Sequence, residues 1–288
     1  MNRISTKTSE NIMRFFCLLA SVISIISVAM ICFFLFANGW PAISQVGFVQ
    51  FFTGTVWQPS AGEYGILPMI CATGAVTGLA ILTGFPAGVL CAVYLVYECP
   101  KKMYGFFHGA ILLMAGIPSV VYGFFGLTTL VPFIRNTFGG RGMSLLAAGV
   151  LLGFMILPTV ASISLTSIQA VGQEIYDGSR ALGSSHEKSI FHSVLPAARG
   201  GILAALILGL GRAAGETMAV MMVAGNQPVM PAGLLEGVRT LTSNIAMEMG
   251  YAAGLQREAL IATGAVLLLI ILLINLLLSV YERKGKMV

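Results

Sequence analysis

Residues 174–226 read EIYDGSRALGSSHEKSIFHSVLPAARGGILAALILGLGRAAGETMAVMMVAGN. The first half, up to Arg199, is polar and typical of short helices, with a break predicted at Gly183. The second half is apolar and long enough to cross a bilayer, yet it carries Arg212 and Glu216 near its middle. A charge at the bilayer centre costs about 2.5–3.5 kcal/mol on insertion scales. The pattern therefore predicts a polar loop that meets a soluble protein, followed by a membrane helix that is more than an anchor.

The composition of the whole chain places it in the lipid bilayer. Of its 288 residues 57% are apolar and only 9% are charged, whereas soluble domains have about 25% charged residues. This excludes an ordinary soluble protein, and the modest net charge of +5 does not indicate a nucleic-acid partner. Five cysteines lie in or beside apolar segments without metal-ligand spacing, so we expect them to be reduced.

Apolar segments predict an all-α membrane protein with six transmembrane helices, since about 20 apolar residues cross a bilayer. The predicted spans are residues 13–37, 65–97, 106–133, 143–170, 201–224 and 258–281. The aromatic-rich segment 38–64 either lies at the membrane surface or packs on the helix ends.

The basic residues predict the orientation of these spans. With both termini in the cytoplasm, eleven of the 16 Lys and Arg residues lie inside and four lie outside, at Arg135, Arg141, Arg239 and Arg257. Arg212 remains within the membrane. Because Lys and Arg accumulate in cytoplasmic loops, this orientation is favoured over its mirror image.

Glycines spaced by four residues recur in the spans, and small residues at this spacing let helices approach closely. We favour ordinary packing within the chain over a specific subunit interface as the interpretation of these pairs. The pairs are Gly74/Gly78, Gly84/Gly88, Gly149/Gly153 and Gly211/Gly215.

Sequence patterns of enzymes are not found. The three histidines, His108, His186 and His192, have no Asp or Ser at the spacing of a catalytic triad, and no phosphate-binding loop of the G-x-x-x-x-G-K-[ST] type occurs. We therefore expect a chain that is not a catalyst and binds no cofactor or metal itself.

The polar loop resembles the coupling motif of the membrane subunits of ABC importers. That motif has Glu-Ala-Ala, three residues, Gly, nine residues, and then Ile-x-Leu-Pro. This chain has Asp177-Gly178-Ser179, three residues, Gly183, nine residues, and then Ser193-Val194-Leu195-Pro196. The resemblance implies that the loop docks on an ATPase subunit through Asp177, Gly178, Gly183, Leu195 and Pro196. A simple hairpin that closes two spans is the alternative.

A second stretch narrows the resemblance. Residues 209–220 read GLGRAAGETMAV, which is similar to the C-type permease subunit of phosphate-specific ABC importers. EYGILP at 63–68 and PSVVYG at 118–123 are similar to stretches of the same subunit. The resemblance covers residues 40–280 and implies a substrate pathway that includes Arg212, Glu216 and Thr217.

This resemblance implies the type I ABC-importer permease fold in the inner membrane of a bacterium or archaeon. An N-terminal helix with a periplasmic aromatic loop, residues 1–64, would precede a five-helix core at 65–284 with its coupling loop at 171–199. The implied partners are a sister permease, two ATP-binding subunits that use ATP–Mg and a periplasmic phosphate-binding protein. An importer of another oxyanion (phosphonate, sulfate or molybdate) and an ATP-independent secondary transporter are the alternatives.

Arg212 and Glu216 have two interpretations. In a continuous helix, residues four apart share one face, so the two side chains are predicted to pair. They form either a structural ion pair or a pair that opens when phosphate displaces Glu216. We favour the second, because the guanidinium matches phosphate oxygens and stays protonated.

Overall fold

Helices make up most of the computed structural model, which describes residues 3–285. In chain order they are α1 (Arg3–Val46), α2 (Phe48–Thr53), α3 (Leu67–Val93), α4 (Lys101–Gly116), α5 (Ser119–Phe125), α6 (Val131–Phe138), α7 (Leu145–Gln169), α8 (Gln173–Ala181), α9 (His186–Ser189), α10 (Leu195–Ala197), α11 (Arg199–Gly215), α12 (Met218–Val223), α13 (Leu241–Glu248) and α14 (Gly254–Gly285). Wider π-helical turns follow α3, α5 and α9, at Tyr94–Glu98, Gly126–Leu130 and Ile190–Val194. Strands β1 (Trp57–Gln58) and β2 (Glu63–Tyr64) form a small antiparallel hairpin.

Four helical segments of the described chain are long and apolar enough to cross a membrane: Met13–Val46, Leu67–Glu98, Leu145–Gln169 and Gly254–Val280. Two bent helix pairs raise the number to six when each pair counts as one span. The all-α membrane architecture predicted from the sequence is thus confirmed. Two of the predicted spans are broken. The span 106–133 breaks within the bent pair formed by Lys101–Gly116 and Ser119–Phe138, and the span 201–224 breaks after Gly215, where the bent pair formed by His186–Ala197 and Arg199–Gly215 ends.

The predicted span 106–133 contains the sharper break. Helices α4 and α5–α6 meet at 97° across Ile117 and Pro118. Ile117 is extended, with φ −69° and ψ 126°, because a residue before proline is disfavoured in the helical region. The chain therefore turns here instead of crossing as one straight helix.

The predicted loop 38–64 is shorter than expected, because α1 continues to Val46. Within the remainder, Phe51, Trp57 and Tyr64 are buried against the start of α14, whereas Phe48 and, in the last turns of α1, Trp40 are exposed. The segment thus packs on helix ends and also presents aromatic side chains outward. The division of the chain at residue 64 stays a prediction.

The centre of the fold is the contact between α3 and α7, on which α11 also packs. A side chain at Gly84 would overlap the carbonyl oxygen of Gly153, and one at Gly153 would overlap the Thr83 hydroxyl. A side chain at Gly88 would crowd Val160. These glycines pack within the chain, as predicted. In contrast, nothing lies within 4 Å of a Cβ built on the glycines of the other two pairs, Gly74, Gly78, Gly211 and Gly215.

A buried polar network joins the β-hairpin to α13 and α14. The Glu248 carboxylate accepts hydrogen bonds from Arg239 Nη1 at 2.7 Å, Trp57 Nε1 at 3.0 Å and Gln256 Nε2 at 2.9 Å. Arg239 also donates to the Asn226 carbonyl and the Asn244 side chain. This Trp57–Glu248 network brings together the two segments, 38–64 and 225–257, that were predicted to lie on the same side of the membrane.

Candidate functional site

Arg212 lies in the last turn of α11, in a segment that the sequence places within the membrane. Its Nη1 donates to the Thr159 hydroxyl of α7 at 3.4 Å, and the residue as a whole is exposed in this chain. The guanidinium therefore keeps most of its five donors free of hydrogen bonds to the described residues. An arginine of this kind can bind an oxyanion without first breaking a salt bridge.

Glu216 does not lie on the same helical face as Arg212, so that prediction is wrong. Helix α11 ends at Gly215, and Glu216 is extended with φ −69° and ψ 129°. Its Oε1 accepts a hydrogen bond from the N–H of Ala219 at 3.2 Å, in the first turn of α12. The two ion pairs between described residues include neither Arg212 nor Glu216. Glu216 thus stabilises the start of α12, and the predicted pairing does not form.

Thr217 lies in the break between the two helices. Its hydroxyl donates to the Gly215 carbonyl at 3.3 Å, while the Glu216 carbonyl accepts from the Thr242 hydroxyl at 3.0 Å. The predicted span 201–224 is therefore two helices held by side-chain hydrogen bonds. The break leaves Arg212 one turn from irregular backbone, which membrane proteins tolerate where it is buried in protein or lines a cavity.

The loop at 171–199 consists of two helical segments on either side of Gly183. Gly183 has φ +88°, a left-handed conformation that few other residues adopt. Nothing lies within 4 Å of a Cβ built there, so the backbone and not crowding requires glycine. The Ser193 hydroxyl donates to Ser179 at 3.2 Å and joins the two segments. The predicted glycine break is thus confirmed.

The other residues of the motif occupy different environments. Asp177 and Gly178 are exposed on α8, and Asp177 accepts from the Gln173 side chain at 3.4 Å. Leu195 is half-buried in α10, and Pro196 beside it is exposed. The chain then bends by 73° into α11. The motif residues thus lie along one loop, but they do not converge on a single pocket.

One large apolar side chain at the tip of this loop was not among the predicted functional residues. Leu182, directly before Gly183, is 90% exposed, and Ile175 and Phe191 are also exposed. Soluble surfaces carry isolated apolar residues routinely. A leucine this exposed beside a rigid turn nevertheless suits a contact with another protein. The sequence signal was available, because Leu182 is the apolar residue nearest to the predicted break.

The chain is a multi-pass helical membrane protein. It has an exposed polar loop and a cation beside a broken helix, and these features suit the membrane subunit of a transporter. The chain belongs to the family of binding-protein-dependent transport system inner membrane components, whose family model matches residues 84–286. This assigns it to the permease subunits of ABC importers in the inner membrane.

Individual relatives agree with this assignment. The chain is 37% identical over 249 residues to the probable ABC transporter permease protein YqgH of Bacillus subtilis, covering 85% of this chain and 81% of the relative. It is 32% identical over 276 residues to the phosphate transport system permease protein PstC of Mesorhizobium japonicum, covering 88% and 84%.

Solved structures confirm the type I ABC-importer fold. A chain of the inward-facing MetNI methionine ABC transporter has a TM-score of 0.60 at 19% identity, covering 80% of this chain and 99% of that one. A chain of a bacterial ABC transporter involved in the import of alginate has a TM-score of 0.62 at 16% identity, covering 96% and 99%. At these identities the likeness concerns the fold alone.

Proposed function

We propose that this permease imports phosphate and forms half of the translocation pathway, with Arg212 as the cation that attracts the substrate. The observation that carries the proposal is the position of Arg212, beside a helix break in the membrane and without a carboxylate partner among the described residues. The likeness to a phosphate permease from Mesorhizobium japonicum supports phosphate as the substrate.

The chemistry of the guanidinium fits this role. Phosphate is an anion with several acceptor oxygens, and arginine presents a planar set of donors that remains charged at every physiological pH. Arg212 is exposed on a face that this chain leaves open. We infer that the face is shared with a sister permease, so that the two chains enclose the pathway together. Glu216 and Thr217 hold the break that positions the end of α11.

Four glycines with open space at the Cβ position support the proposed interface with a sister permease. A Cβ on Gly74, Gly78, Gly211 or Gly215 meets no atom of this chain within 4 Å. Small residues let a neighbouring helix approach closely in a membrane. For the pairs Gly74/Gly78 and Gly211/Gly215, we therefore favour an interface with the sister permease over packing within this chain.

The loop at 171–199 would couple transport to ATP hydrolysis. Its exposed Leu182 and the left-handed Gly183 form a rigid apolar tip suited to a groove on an ATP-binding subunit. Two such subunits would bind and use ATP–Mg, whereas this chain itself would bind neither ATP nor Mg²⁺. Both termini and this loop would lie in the cytoplasm, while the Trp57–Glu248 network would face a periplasmic phosphate-binding protein.

Uptake by a reconstituted complex tests the proposal. The chain, its sister permease, the ATP-binding subunits and the phosphate-binding protein are placed in lipid vesicles, and radioactive phosphate uptake is measured with and without ATP. We expect ATP-dependent uptake that unlabelled phosphate suppresses and that sulfate, molybdate and phosphonate leave unchanged. Suppression by one of those anions at lower concentration than by phosphate would assign the other oxyanion, and uptake without ATP would contradict an importer of this type.

A further inference from the structure

A histidine joins the loop at 171–199 to the end of helix α3. His186 Nε2 lies 2.5 Å from Glu98 Oε1, and His186 Nδ1 lies 2.6 Å from the Tyr176 hydroxyl. Because an ionised carboxylate only accepts hydrogen bonds, Nε2 carries the proton that is donated to Glu98. In the neutral ring Nδ1 then accepts from Tyr176. We call Glu98, Tyr176 and His186 the clasp.

The clasp connects three separate segments of the chain. Glu98 ends the helical segment that continues α3, whereas Tyr176 lies on α8 and His186 begins α9. The last two residues therefore lie on opposite sides of Gly183. The Tyr97 ring packs against both, with centroid distances of 5.1 Å to Tyr176 and 6.2 Å to His186. The loop, although it turns at a glycine, is thus fixed to α3 on both sides of the turn.

Helix α3 leads from the clasp to the interior of the protein. It packs along α7 and α11, and these two helices supply Thr159 and Arg212. A displacement of the loop would therefore pass through the clasp to the helices around Arg212. The loop also packs on the ends of α3 and α7 through an apolar cluster that includes Val93, Leu165 and Ile190. Its connection to α11 through α10 contains the 73° bend and a three-residue helix, which makes that connection less rigid.

We propose that His186 is a positioning residue for coupling: the clasp makes the loop and α3 move as one body. This inference rests on the proposed docking of the loop on an ATP-binding subunit. Without the clasp, the loop would still dock and ATP would still be hydrolysed, but less of the movement would reach α3. The measurable consequence is a fall in the number of phosphate ions imported per ATP hydrolysed.

Substitution of His186 tests this consequence. His186→Phe keeps an aromatic ring and removes both hydrogen bonds. We expect the assembled complex to hydrolyse ATP in response to the binding protein while phosphate uptake per ATP falls about fivefold or more, corresponding to roughly 1 kcal/mol or more. Glu98→Gln retains an acceptor for Nε2–H and should lose less than Glu98→Ala. Lys188→Gln, an exposed neighbour on α9, is the control and should leave the ratio unchanged.

An unchanged ratio of uptake to hydrolysis in His186→Phe would overturn the inference, whether or not the amount of complex falls. If that variant does not assemble, a cross-link decides. In a cysteine-free chain, Glu98→Cys with His186→Cys should lower the ratio, and a short bifunctional thiol reagent should restore it. No restoration by the cross-link would show that the two segments need not move together. Failure of the docking proposal can be told apart from failure of the clasp proposal. If docking is wrong, ATP-binding subunits will bind normally to the Leu182→Gln variant.

Discussion

The Trp57–Glu248 network and the loop at 171–199 fix connecting segments to helix ends in opposite ways. In the network, the side chains of Arg239 and Glu248 are only 13% and 9% exposed, and the carboxylate accepts hydrogen bonds from Trp57, Arg239 and Gln256. In the loop, Glu98 and His186 are 53% and 31% exposed, and Leu182 is 90% exposed. The first region is therefore largely closed to solvent, whereas the second presents exposed side chains that another protein could contact.

The largest effect on stability is expected from the buried ion pair. Glu248→Leu leaves the Arg239 guanidinium buried without its carboxylate, which costs about 3–5 kcal/mol. We expect this variant to accumulate poorly in the membrane and to melt at lower temperature. Glu98→Gln is the matched control, because an exposed pair contributes at most about 1 kcal/mol. Equal stability of the two variants would remove the contrast between the regions.

A smaller effect, on association and not on stability, is expected at Leu182. Burying a leucine side chain contributes about 1.5–3 kcal/mol, so Leu182→Gln should weaken binding of the ATP-binding subunits by roughly ten- to hundredfold. The melting temperature of the isolated permease pair should not change, since the side chain makes no buried contact in this chain. Leu182→Met keeps the apolar surface and should bind normally. A loss of stability without a loss of binding would place Leu182 in the fold of the loop instead.

The smallest effect is expected at Gly183. A left-handed residue other than glycine costs about 1–2 kcal/mol, and more when it is β-branched. Gly183→Val should therefore leave the chain in the membrane but distort the loop and lower uptake, while Gly183→Asn should retain most activity. Gly178→Ala, in the open middle of α8, should be neutral or slightly stabilising. Normal uptake by Gly183→Val would contradict a rigid turn at the tip.

Much of the fold follows from local sequence, and the exceptions have physical causes. Apolar length predicted α3, α7 and α14, and glycine spacing predicted close helix packing, which the structure shows between α3 and α7. The break at Ile117 could have been predicted, because Pro118 restricts the residue before it. The break at Glu216 could not, since it depends on the Thr242 hydroxyl, 26 residues away.

The polar contacts between distant segments could not be predicted either. The contact between Trp57 and Glu248 joins residues 191 positions apart, and that between Glu98 and His186 joins residues 88 positions apart. Neither pair has a local pattern that indicates its partner. For the candidate site, the sequence predicted Arg212 as the substrate-binding cation, which stays a prediction, and paired it with Glu216, which the structure contradicts. That error came from extending the helical period through Gly215, where α11 ends.

Phosphate uptake by the Arg212→Gln variant, normalised to the amount of assembled complex, tests the central claim most directly. Hydrogen bonds to charged groups contribute about 1.5–3 kcal/mol, so we predict roughly a ten- to hundredfold fall in uptake, with assembly and melting temperature unchanged because no ion pair is broken. Glu216→Gln is the matched control: its side-chain oxygen can still accept from Ala219, and uptake should stay near normal. Near-normal uptake by Arg212→Gln would contradict the claim and leave Arg212 outside the phosphate pathway.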